Sequence, residues 1–160
     1  MPGSPDRSDG PSDNPRGRSQ RLIQSRLYRN LGNIPGVASV RFEETESGIA
    51  NQVHGDLNTM IFADGLISSE EAFVQVNWWP QPNGKVTWFE IYYVESDGFD
   101  CGWHRHANDH VDGLDHFQER ESPEEEYQYR EVSFNADNPV GLLWEVVDER
   151  LQNLVRRRYR

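Results

Sequence analysis

The sequence predicts an α+β fold: a curled antiparallel sheet of about five to six strands, with a C-terminal helix packed on it and a short N-terminal helix. Between positions 37 and 134, runs rich in aromatic and β-branched residues alternate with turns made of Gly, Pro, Asn and Asp. Apolar residues at helical spacing occur towards the two ends. The length of 160 residues suits one domain with a modest core.

The N-terminal part changes character near residue 19. Residues 1–18 are mostly Pro, Gly, Ser, Asp and Arg. This composition cannot bury enough apolar surface to offset the entropy of ordering, so it predicts a disordered tail. Residues 19–160 are predicted to form the single domain, which begins with a short helix that ends near Gly32 and Pro35. The apolar positions of this helix are Leu22, Ile23, Leu27 and Leu31.

Strands are predicted through the middle of the chain. An Asn-Gly pair between two aromatic runs indicates a hairpin around Pro80–Gly84, with a loop longer than two residues. A second turn is expected at Ser96–Gly98, and the histidines beyond position 106 are expected in a loop. The strands are predicted at 37–44, 71–79, 85–94, 99–106 and 127–134, and a further apolar stretch, 57–67, is interrupted by Asp64-Gly65.

A final helix is predicted at 139–155. Asp137-Asn138 supplies a capping residue, and Pro139 suits the first helical position. Arginines at the end of the chain place positive charge at the negative end of the helix dipole. The apolar stripe of this helix is Leu143, Val146, Val147, Leu151 and Leu154.

The composition indicates an acidic, salt-adapted protein. The net charge is −11, from 27 acidic and 16 basic residues, and Lys85 is the single lysine beside fifteen arginines. Such a surface stays soluble in concentrated salt, where self-repulsion is screened, so we expect a halophilic, archaeal source. The chain shows no apolar run of about 18 residues and no signal peptide, which predicts a cytoplasmic protein that does not contact a membrane. Cys101, the only cysteine, is expected to be a small buried hydrophobe.

The most informative feature is a histidine cluster. His104, His106, His110 and His116 fall within thirteen residues, interleaved with aspartates. On a strand, His104 and His106 point to the same face, because side chains alternate with period two. Imidazole binds metals and transfers protons near neutral pH, so the cluster predicts one of these two chemistries. His54 stands apart and is predicted to lie at the surface.

The first interpretation is metal-free acid–base cleavage of RNA, without a cofactor. His104 and His106 would transfer the protons, Asp100 would orient one imidazole, and Arg105 or Arg130 would contact the phosphate. Three further residues, Trp103, His110 and His116, are candidates for substrate binding.

The second interpretation is a divalent metal site with His104, His106 and His110 as ligands. Gly98 followed five residues later by His104-Arg-His106 resembles the opening of the cupin histidine motif, although His110 and Val111 stand where the family has Glu. This resemblance implies a metal-binding β-sandwich or barrel, either an enzyme or a sensor.

A broader resemblance, from Val37 to Leu154, is to TumE-family toxins of toxin–antitoxin pairs. It is carried by an aromatic-rich hairpin, an Asp followed by a histidine-rich loop, and a final helix. It implies an RNA-directed toxin that a cognate antitoxin blocks, so RNA and an antitoxin are the expected partners. Asp100–His104 and Leu114–Phe117 replace the family's own histidine runs. The matching pieces are Val76–Trp79, Trp88–Tyr93, Phe99-Asp100, the loop 104–116 and the helix 139–155.

A third interpretation is a non-catalytic interaction module that uses an aromatic sheet and its terminal helices. The tryptophans at 78, 79, 88 and 103 suit either stacking on bases or an aromatic core. The sequence does not predict the oligomeric state.

Overall fold

The computed structural model describes residues 15–44, 50–79 and 88–160. The described residues form a seven-stranded antiparallel sheet and two long helices, which confirms the α+β class with slightly more strands than predicted. Helix α1 is Pro15–Asn33, and helix α2 has three consecutive segments, Pro139–Leu143, Trp144–Leu151 and Gln152–Tyr159. The strands are β1 (Val37–Glu44), β2 (Ala50–Leu57), β3 (Ala72–Trp79), β4 (Trp88–Glu95), β5 (Asp100–Arg105), β6 (Asp115–Arg120) and β7 (Gln128–Glu131).

The sheet is an open meander, in which each strand pairs with the next one along the chain. Cupins adopt a jelly roll built from two Greek keys. The described strands therefore do not form the sandwich or barrel that the cupin-like interpretation implies.

Two strands lie where the sequence predicted none. Strand β2 carries the weak strand formers Gly55 and Asp56, and β6 has the charged sequence Asp-His-Phe-Gln-Glu-Arg. Each forms because it pairs with a strand on both sides, so tertiary pairing overrides local propensity. The stretch 57–67 contains a short 3₁₀ turn, Phe62–Gly65. The predicted loop Pro80–Gly84 and residues 1–14 of the predicted tail lie outside the described residues.

The two faces of the sheet are chemically different, because cross-strand partners share a face and side chains alternate along each strand. From β2 to β6, one row is apolar and buried: Val53, Val76, Ile91, Trp103 and Phe117. The exposed Phe42 and Arg130 continue this row on the two edge strands. The adjacent row, on the opposite face, is entirely polar: Gln52, Asn77, Glu90, His104, His116 and Glu131.

Both helices pack on the apolar face. Leu31 of α1 lies directly over Gly55, where a Cβ atom would come within 2.8 Å of the Leu31 side chain. The indole of Trp144 donates a hydrogen bond to Asn30, which ties α2 to α1. Burial of each large apolar side chain between sheet and helices contributes roughly 1.5–3 kcal/mol, and it leaves the polar face free of the described helices.

Helix α2 begins as predicted. The Asn138 side chain accepts a hydrogen bond from the Gly141 amide, and Pro139 occupies the first turn. Cys101 is fully buried, and burial raises the pKa of its thiol, as expected for a small core residue. Among the described residues, no helix combines the length and apolar character that a membrane span requires.

Candidate metal centre

The centre of the polar face brings three imidazoles together. His104 on β5 and His116 on β6 are direct cross-strand partners, and His106 follows the end of β5 on the same face. One ligand nitrogen from each ring lies within 4.8 Å of the others. The ring centroids are 4.9 to 5.4 Å apart. We call His104, His106 and His116 the histidine triad.

Backbone carbonyls set the orientation of two triad members. His106 Nδ1 lies 2.9 Å from the Ala107 carbonyl oxygen, and His116 Nδ1 lies 3.1 Å from that of Leu114. A carbonyl can only accept, so each Nδ1 donates its proton and each Nε2 keeps a lone pair. Histidines that ligate metals are held in the same way, by an outer hydrogen bond that fixes the tautomer.

The loop between β5 and β6 is held by the Asn108 side chain. Its amide nitrogen lies 3.1 Å from the His106 carbonyl oxygen and 3.2 Å from that of Gly113. Its amide oxygen accepts hydrogen bonds from the backbone amides of His110 and Val111. These four bonds join the two ends of the loop, so His106 and His116 are positioned by one side chain.

His104 is buried, with 1% of its surface exposed. Its Nδ1 lies 3.3 Å from His106 Nε2, and its Nε2 has no hydrogen-bond partner among the described residues. The ring lies over Gly102, where a Cβ atom would come within 2.4 Å of Nε2. Glycine at this position therefore makes room for the imidazole.

Burial keeps two members of the triad, His104 and His116, neutral. It lowers the pKa of His104 to about 2, and the neighbouring His116 and His106 add to this effect. Burial also lowers the pKa of His116. A neutral imidazole can offer a lone pair to a metal, whereas a ring with so low a pKa cannot act as a general acid near neutral pH.

Among the described residues, the carboxylate of Glu90 is the one in ion-pair contact with the triad. Glu90 on β4 is the cross-strand partner of His104, and its Oε2 lies 3.7 Å from His104 Nδ1 and 3.5 Å from His106 Nε2. The Tyr92 hydroxyl donates to this same oxygen at 2.9 Å, and Asn77 donates to the other oxygen. The site therefore offers three imidazoles and one oriented carboxylate.

Two of the predicted catalytic residues, Arg105 and Arg130, lie on the apolar face of the sheet, opposite the triad. Arg105 forms a two-point ion pair with Asp115, at 2.6 and 3.0 Å, on the apolar side. Arg130 lies over the Phe117 ring, 4.3 Å from its centroid. Neither guanidinium reaches the imidazoles through the sheet, so the structure does not support a phosphate contact beside the triad from either.

Three further predicted residues lie outside the triad. Asp100 lies on the same face as the triad, but it is four residues from His104 along β5, which corresponds to about 13 Å. Its carboxylate accepts a 2.7 Å hydrogen bond from Arg120. It therefore does not orient a triad imidazole. Trp103 is buried in the core against Phe117 and is closed to a substrate. His110 is exposed and stacks on Tyr129, outside the triad, so His116 takes the place predicted for it in the metal set.

Sequence reasoning missed Glu90, Asn108 and Gly102. Glu90 can be identified as a site residue only from the β4–β5 register, which pairs it with His104. Alternation along β5 was a usable signal for Gly102, because it lies two residues before His104 on the same face. His54, predicted at the surface, is 4% exposed and lies between carboxylates of Glu43 and Asp56.

The chain matches no protein-family model, no curated protein and no solved structure at a significant level.

Proposed function

We propose that this protein binds a divalent transition metal at the histidine triad, and that the bound ion serves as its reactive centre. The observation that supports the proposal most is the convergence of three imidazoles, two of which have their Nδ1 protons committed to backbone carbonyls. This arrangement leaves the Nε2 lone pairs of His106 and His116 available beside the His104 ring, which suits a metal site better than a proton relay.

The distances agree with this assignment. Nitrogens that share a tetrahedral zinc at about 2.0–2.1 Å lie roughly 3.3 Å apart, and His104 Nδ1 lies 3.3 Å from His106 Nε2. Closing His116 onto the same point requires only side-chain adjustment, because the three nitrogens already lie within 4.8 Å. Imidazole ligands suit zinc, copper, nickel and iron.

The chemistry follows from the ligand count. Three imidazoles fill three positions of a tetrahedral ion and leave one for water or substrate. A bound water is then acidified, and a carboxylate beside it can take up the proton. Glu90 stands at the required place, next to two of the three ligands. We therefore propose metal-assisted hydrolysis as the reaction class.

The TumE-like, RNA-directed activity and its cognate antitoxin stay predictions from the sequence. The acid–base version of that activity needs a histidine that is protonated at neutral pH, and the low pKa of His104 does not favour it. A metal-dependent version is compatible with the triad. The non-catalytic interaction module gains no support from the convergence of the imidazoles.

The test is metal stoichiometry measured by calorimetric titration and elemental analysis with Zn²⁺, Ni²⁺ and Mn²⁺. We expect one ion per chain for at least one metal. His116→Asn should abolish binding, whereas His110→Asn, a matched change six residues away, should leave it intact. The absence of binding by the unaltered chain, or equal loss in both variants, would refute the proposal.

A glycine pair tests the geometry without touching a ligand. Gly102→Ala places a methyl group 2.4 Å from His104 Nε2 and displaces the ring, so metal affinity should fall by roughly 10- to 100-fold, as for other changes that misorient a ligand. In Gly113→Ala the nearest contact is the far end of the exposed Glu131 side chain, at 3.3 Å. That variant should bind normally.

A further inference from the structure

An open cleft of about 440 Å³ adjoins the histidine triad. It is lined by Trp79, Trp88, Glu90, His106 and Ala107. Glu90 and His106 belong to the cleft and to the candidate metal centre at once. His106 is also the most open triad member, with 27% of its side chain exposed. A molecule in the cleft therefore lies within reach of an ion held by the triad.

Two indoles form the outer part of this cleft. Trp79 and Trp88 are cross-strand partners at the ends of β3 and β4. Both are half-buried on the polar face, whereas Trp78 and Trp103 are buried in the core. Trp88 lies two residues from Glu90 on the same face, about 7 Å along the strand. The aromatic surface therefore begins next to Glu90, which lies beside the proposed metal ligands His104 and His106.

We infer that this cleft binds a planar nitrogen heterocycle of nucleobase size, with its ring face on the indoles and a polar edge towards the metal centre. The inference rests on the proposed metal site. Aromatic side chains bind bases by stacking, largely independently of their sequence, since every base has a π-face. The cleft is within the usual size range for small-ligand sites, and it joins an apolar wall to a few polar groups.

The charges around the cleft favour an uncharged ring as the ligand. None of the described residues that line the cleft is Arg or Lys, so this described lining offers a row of phosphates no cationic partner. A quaternary ammonium ion also suits indole faces. However, a divalent ion held beside Glu90 leaves the neighbourhood positively charged, which repels a second cation. The occupant that fits both conditions is an uncharged heterocycle, such as the base of a nucleoside.

The test uses adenosine as the probe, with the zinc-loaded protein in molar potassium chloride. We expect adenosine to shift the indole N–H resonances of Trp79 and Trp88 and to bind with a measurable affinity. Trp88→Leu should weaken binding about tenfold, because one stacking surface is lost. Tyr28→Leu removes a partly exposed aromatic ring from α1, away from the cleft, and should not change adenosine binding.

Two further ligands identify what is recognised. Choline that binds as tightly as adenosine would overturn the inference in favour of a cation cage. An oligoadenylate that binds more tightly than adenosine would support a base taken from a nucleic acid, and weaker binding would support a free nucleoside.

Zinc titration of the same samples separates the two proposals. If zinc binds but adenosine shifts no indole resonance, the cleft inference fails and the metal site stands. If none of Zn²⁺, Ni²⁺ and Mn²⁺ binds, the proposed function fails, whatever adenosine does. Normal zinc binding by Trp88→Leu shows that this variant is folded.

Discussion

Two histidine regions lie on the same polar face and have opposite surroundings. His54, on β2, faces Asp56 Oδ1 at 2.9 Å and Glu43 Oε1 at 3.4 Å, one carboxylate on each ring nitrogen. In the triad, imidazoles face one another, and among the described residues Glu90 is the one carboxylate in ion-pair contact with them. His54 is as deeply buried as His104 and His116. The number of carboxylates in contact with each ring therefore distinguishes the two regions.

Arg41 completes the region around His54. Its guanidinium lies 3.0 Å from both Glu43 and Asp56, so charges of both signs are paired within the network. Neither nitrogen of His54 is directed at another imidazole. The region is therefore an ion-pair network at the β1–β2 edge of the sheet, and it gives a natural control for every experiment on the triad.

The largest difference should appear when one histidine is removed from each region. His106→Ala deletes a proposed ligand with little loss of buried surface, so we expect metal affinity to fall at least about 100-fold, beyond the effect of outer-shell changes. His54→Ala should leave the affinity within about twofold. Titration calorimetry measures both. Equal losses in the two variants would erase the distinction between the regions.

The protonation of the triad gives the second prediction, for the metal-free protein. The pKa of His104 is lowered to about 2 in the folded state, whereas an unfolded histidine titrates near 6.5. Between these values the unfolded chain binds more protons, so stability is complete above about pH 6.5 and falls as the pH decreases. The loss should be about 2 kcal/mol between pH 7 and pH 5, at about 1.4 kcal/mol per pH unit.

Urea unfolding at several pH values, with chelator present, measures this slope. His104→Gln should flatten it, because glutamine does not titrate, while the Ala variant at His54 should keep the contribution of the triad. If the His104→Gln slope equals that of the unaltered chain, the burial of a neutral imidazole at this position is refuted.

The sequence predicted the part of this site that depends on one strand. The period-two alternation that placed His104 and His106 on one face also placed Trp103 and Arg105 on the other. Strands β3, β4 and β5 were recognisable because aromatic and β-branched residues dominate them. Both terminal helices were recognisable from their apolar spacing.

The sequence could not predict the part that depends on pairing between strands. His116 was expected in a loop because β6 is mostly charged, and only its pairing with β5 reveals a strand. Glu90 enters the site through a register between β4 and β5 that a single residue of slip would reverse. The face on which Arg130 lies could not be predicted for the same reason, because it depends on the β6–β7 register.

The smallest predicted effect compares the carboxylates of the two regions. Glu90→Gln keeps the shape and the contact with Tyr92 but removes the charge beside the triad, so we expect metal affinity to fall about tenfold, or about 1.4 kcal/mol. Glu43→Gln makes the same change beside His54 and should leave metal affinity unaltered. Competition with a chromogenic chelator resolves differences of this size. If the two variants bind alike, Glu90 contributes no charge to the metal site, and the triad acts through its imidazoles alone.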